Sequence, residues 1–166
     1  VERAKACLDN GADKICLNSA ALDDPDLISA CAHRFGSQAV VVAVDVIDRS
    51  GSISLYDYRS GKALPDRNWL EWLGQAENKG AGEIRLMDVG REGGRQGYNS
   101  GLLAAARTRC SLPIILEGGA GKLDDLSGAM QQGADALALG TMLVFSDNNI
   151  IQVKRFLKNA GHSIRL

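Results

Sequence analysis

At 166 residues, 45% hydrophobic and 23% charged, the chain is long enough for one domain with a sizeable core and too short for two ordinary ones. Lysine and arginine number 19 against 20 for aspartate and glutamate, which gives no electrostatic reason to expect nucleic acid or an anionic membrane as partner. No apolar run approaches the ~18–20 residues that span a bilayer, and Cys7, Cys16, Cys31 and Cys110 lack the spacing of a zinc site or disulfide framework, so reduced thiols in a cytoplasm are expected.

In chain order, the first nine residues read as a helix, closed by Asn10-Gly11 before an apolar run that starts near Asp13. Asp23-Asp24-Pro25 opens a second helix that runs to residue 35. Residues 39–44 read as a strand buried on both faces. In the polar segment 46–66, the alternation of Ile53, Leu55 and Tyr56 predicts a small hairpin inside a long loop. A helix over 67–79 carries Trp69, Leu70, Leu73 and Ala76 at helical spacing, and Gly80 ends it before a strand that starts near Glu83. Amphipathic helices are predicted over 101–108, 123–132 and 150–159, with strands at 113–116 and from about 135 between them.

Strand starts near 13, 39, 83, 113 and 135 lie roughly 30 residues apart, the size of a βαβ unit. The fold class is therefore α/β with a parallel sheet. Two layouts compete, a doubly wound open sheet and part of a (β/α)8 barrel, which normally needs ~250 residues. Spacing alone does not choose between them.

In either layout the active site gathers at the carboxyl ends of the strands. Asp45 ends the run Val40-Val41-Val42-Ala43-Val44, where partial desolvation raises a carboxylate toward the acid–base range. Gly118-Gly119-Ala120-Gly121 follows one strand and Gly140-Thr141 the next. Two such turns on neighbouring strands form the usual phosphate cup of a barrel. Glu117, just before the first turn, would repel a phosphate if it pointed inward. The mixed-charge loop Gly90-Arg91-Glu92-Gly93-Gly94-Arg95-Gln96-Gly97-Tyr98 could fold over a ligand. His33 and His162 have no partner in the pattern, and Trp69 and Trp72 read as helix packing. No nucleophile triad or metal-ligand spacing is visible, so neither metal nor cofactor is expected.

Those residues carry a resemblance. Gly11-Ala12-Asp13-Lys14 with Leu17-Asn18-Ser19-Ala20-Ala21, Phe35-Gly36-Ser37-Gln38 through Asp45, Lys79-Gly80-Ala81-Gly82-Glu83-Ile84, Gly97-Tyr98 and Gly118-Gly119-Ala120-Gly121-Lys122 resemble the cyclase subunit of imidazole glycerol phosphate synthase. The match is collinear across the chain. It implies a (β/α)8 lineage, of which this sequence would supply strands four to eight as one partial-barrel domain over 1–166. In that family, ammonia from a glutaminase partner passes through the barrel to a doubly phosphorylated ribulosyl intermediate, and lyase and cyclisation steps follow. The resemblance makes Asp45 one of two acid–base aspartates, the other lying on the absent first strand. It assigns one substrate phosphate to Glu92, Gly93, Gly119, Gly140 and Thr141, beside Gly118, and the other to Asn18 and Ser19. Lys14 and Glu83 match two members of a charged ring that faces the glutaminase. Departures from the family are the Gly90-Arg91-Glu92-Gly93-Gly94 loop, where Asp-Arg-Asp-Gly-Thr is usual, Glu117 for Ser, and Gly140-Thr141 for Ala-Ser.

Three functions follow as expectations: a cyclase-type lyase of histidine biosynthesis that needs further strands for activity, a non-catalytic half-barrel that binds a phosphorylated ligand or a partner, and a cyclase-like subunit of an amidotransferase in surface-polysaccharide biosynthesis. Five parallel strands cannot close an eight-stranded barrel, so the apolar edge strands predict a homo-oligomer.

Overall fold

The computed structural model describes residues 1–165; Leu166, the last residue of the expected domain, lies outside them. The elements are α1 (Glu2–Asp9), β1 (Ile15–Leu17), α2 (Ser19–Asp23), α3 (Asp26–Phe35), β2 (Val40–Arg49), β3 (Ser52–Asp57), β4 (Lys62–Leu64), α4 (Trp69–Asn78), β5 (Glu83–Asp88), α5 (Ser100–Arg107), β6 (Ile114–Glu117), α6 (Leu123–Gln131), β7 (Ala136–Leu137), α7 (Thr141–Val144) and α8 (Ile150–Asn159). Together the strands make one seven-stranded sheet.

Five of the strands, β1, β2, β5, β6 and β7, are parallel and lie side by side in chain order. A doubly wound sheet reverses its strand order at a switch point. No reversal occurs here, so the sheet winds in one direction, as a barrel segment does. The remaining two strands come from segment 46–66. β2 runs past the parallel block to Arg49 and turns through Ser50 and Gly51, both at positive φ, into antiparallel β3 and then β4. The expected hairpin is thus a three-stranded meander continuous with the central strand, not an isolated loop feature.

Strand alternation sorts the side chains onto two faces. Val40, Val42, Val44, Ile84, Leu86, Ile114 and Leu116 are buried in the main core with Ile28 of α3, Leu73 of α4 and Leu103 of α5. A smaller core joins Leu126 of α6, Met142 of α7 and Val153 and Leu157 of α8. The opposite face carries the alternate residues, and register pairs Ala43 with Arg85, Arg85 with Ile115 and Ile115 with Ala136. At the edges that face is open, where Cys16 of β1 and Ala136 of β7 are exposed.

Candidate active site at the carboxyl rim

Asp45 sits where burial disfavours the ionised form of a carboxylate. It lies near the carboxyl end of the parallel part of the central strand, in register with Met87, and is 2% exposed. Its Oδ2 accepts from Asn18 Nδ2 at 2.8 Å, while Oδ1 is buried without a hydrogen-bond partner. Burial is the largest influence on its pKa and raises it, with Glu117 adding to the rise, while the Asn18 bond and Arg85 oppose it.

Arg85 was not legible as a site residue. Register places it on the same face, one row below Asp45 on one side and Glu117 on the other. It pairs with Glu117 through Nε, and its Nη2 lies 3.8 Å from Asp45 Oδ1. The guanidinium therefore bridges two carboxylates across three adjacent strands. Glu117 does share the face of Asp45, but as the partner of Arg85 rather than as a free charge beside the cup.

The expected phosphate residues come together in part. Glu92, Gly93, Gly118, Gly119, Gly140 and Thr141 line one small concavity with Ala120 and Ala138. Gly118 and Gly119 adopt φ of 95° and 100°. A Cβ on Gly118 would lie 2.5 Å from the Asp88 carbonyl oxygen, and one on Gly119 would lie 2.4 Å from that of Gly97. Only glycine lets the backbone pass there. The cavity volume is about 10 Å3, room for about one water, and loop 89–99 supplies Glu92 and Gly93 to its wall. That loop is anchored at its root: Asp88 Oδ1 accepts from Gly90 N at 3.0 Å, Asp88 Oδ2 from Asn99 Nδ2 at 3.0 Å, and Gly97 N donates to Gly119 O at 2.8 Å.

The other expected phosphate ligands lie apart from this cup. Asn18 is on Asp45, and the Ser19 hydroxyl donates to Asp57 Oδ1 at 2.9 Å, tying α2 to the end of β3. At the amino end of the sheet, Lys14 and Glu83 form an ion pair that reaches across β2. Among the described residues no cluster of histidine, cysteine or acidic side chains could hold a metal ion, and no helix is long and apolar enough to cross a membrane. His33 is exposed, and His162 shares a 2.9 Å hydrogen bond with Ser127 Oγ.

Residues 1–149 match the family described as histidine biosynthesis protein. Along its whole length the chain is 41% identical to the imidazole glycerol phosphate synthase subunit HisF of Chlorobium phaeobacteroides and 40% identical to that of Chlorobaculum parvum. It is 37% identical to the subunit of the same name from Dictyoglomus thermophilum. In each case it covers 66% of the relative, so the chain spans just under two thirds of the length of these curated relatives.

Proposed function

The chain belongs to the histidine biosynthesis protein family, and we propose that it carries the acid–base and phosphate-binding rim of a cyclase-type lyase. The reaction is the ammonia-dependent conversion of a ribulosyl intermediate to imidazole glycerol phosphate. One observation carries the reading: a buried, partly unpartnered Asp45 shares the carboxyl rim with a glycine-built cup. Asp45 exchanges a proton with the reacting intermediate. Backbone amides of the cup at Gly119 and Gly140-Thr141 hold one of its phosphates.

Several finer assignments belong to the same reading. The sheet is a segment of a (β/α)8 barrel. Its amino end, with the Lys14–Glu83 pair, is the face for a glutaminase subunit that supplies ammonia, and the open sheet edges pair with a second copy of the chain. Reduced cysteines fit a cytoplasmic protein.

Turnover of the ribulosyl intermediate with an ammonium salt tests the proposal. Asp45→Asn is expected to lower it at least ~100-fold, the lower end for loss of a general acid–base group. Unchanged turnover in that variant removes Asp45 from the mechanism. No turnover even when the amino-terminal strands of a relative are supplied, with calorimetry still showing that the intermediate binds, replaces the lyase by a ligand-binding half-barrel.

A further inference from the structure

Asn18 occupies the N-cap position of α2 without capping it. Asparagine is among the preferred N-cap residues because its side-chain oxygen accepts from the second or third helical amide. No such bond forms here. The carboxamide turns instead onto the neighbouring strand, where Nδ2 donates to Asp45 Oδ2 at 2.8 Å. Asn18 Oδ1 is then buried without a donor, and Asp45 Oδ1 is buried without one too. Among the described residues only one other buried side-chain polar atom, Trp72 Nε1, lacks a partner. Two of three such atoms thus belong to one pair.

A buried acceptor with no donor loses its hydration and gains nothing in return. One proton can satisfy both acceptors. A carboxylic acid and a carboxamide can pair through two hydrogen bonds, one from the amide N–H and one from the acid O–H. The bond from Nδ2 to Oδ2 is the first of these. We infer that Asn18 is a positioning residue that holds a proton on Asp45 Oδ1, with that hydroxyl donating to Asn18 Oδ1 in the resting protein.

The groups facing Asp45 are compatible with the neutral acid. From β5, Arg85 stands 3.8 Å from Oδ1, outside hydrogen-bond range, and is engaged by Glu117 of β6. Glu117 itself disfavours a second negative charge beside it. From β1, Cys16 supplies a thiol and adds no cation. Asp45 accordingly enters the reaction as the acid. That step rests on the cyclase reading above, whereas the pairing itself is measured without substrate.

Carbon-13 and proton resonance spectra of the whole chain, labelled at the aspartate carboxyl carbons, test the pairing. At pH 6–7 the expected result is one carboxyl carbon at the protonated position and one exchange-protected carboxyl proton. Both are lost in Asp45→Asn, and the protected proton is lost in Asn18→Leu. An ionised Asp45 at that pH overturns the inference, as does a protected proton that survives Asn18→Leu. Melting supplies a readout if Asn18→Leu does not fold. The folded chain keeps a proton that an unfolded aspartate releases at about pH 3.9, so the contribution of Asp45 to stability falls as pH rises above that value toward the raised folded pKa. Asp45→Asn, an isostere of the protonated acid, is expected to lack this fall and to melt no lower than the unmodified chain at pH 7. A lower melting temperature for Asp45→Asn at pH 7 overturns the pairing and leaves the turnover assay to judge the lyase.

Discussion

Glu117 precedes the double glycine of the cup and, read from sequence, threatens any phosphate bound there. In the structure its charge is answered by Arg85, one row below on the adjacent strand. Replacing Glu117 by serine removes a like charge and leaves the guanidinium free beside the cup. Calorimetry with inorganic phosphate is expected to show roughly tenfold tighter binding, equivalent to about 1.4 kcal/mol; equal or weaker binding would place the anion elsewhere. Asp45 and Glu117 were legible because each ends an apolar run. Arg85 was not, because it stands inside the run Ile84-Arg85-Leu86-Met87, and only register shows that it shares a face with Asp45 and Glu117. The bond between Asn18 and Asp45 was equally hidden, since it joins residues 27 apart through two strands whose alignment no local pattern encodes.

The parallel strands were read near their true places because buried runs bounded by glycine are a strong signal. The helix at Ile150–Asn159 was read to the residue, with Asn149 accepting from the amides of Ile151 and Gln152 at 3.0 Å. Two short helices escaped: α2 spans only Ser19–Asp23 and α7 only Thr141–Val144, too short for helical periodicity to register. β2 also continues through polar Asp48 and Arg49 because it pairs with β3 rather than entering the core. The turn after β6 makes the sharpest demand on sequence. Gly119→Ala would drive its Cβ into the Gly97 carbonyl and force a residue with a side chain to φ near 100°. The expected loss is about 1–3 kcal/mol, measured by denaturant unfolding, together with loss of phosphate binding. Unchanged stability would mean that loop 89–99 yields without resistance.

Across the whole molecule, the open boundaries of the sheet dominate. β1 and β7 each pair on one side only. Along the α7–α8 connection, Val144 and Phe145 are 72% and 70% exposed, and Ile150 and Ile151 add further apolar surface. Patches of this kind mark association surfaces more often than free ones. Burying roughly 1,000 Å2 at about 25 cal/mol per Å2 exceeds the usual cost of association. The proposed second copy predicts a particle of twice the 17.6 kDa chain mass by light scattering at micromolar concentration. A well-behaved particle of 17.6 kDa would show instead that the chain tolerates its edges.

The bridge from Arg85 to Glu117 also constrains how this sequence can drift. Losing the arginine leaves the Glu117 carboxylate without its partner, and losing the glutamate leaves a half-buried cation with only Asp45 nearby. Either single step passes through a poorer protein than its start or its end. Substitutions at the two positions are therefore expected to travel as a pair along a lineage. An arginine at the first position without an acid at the second would mark a chain whose rim has taken up a different anion.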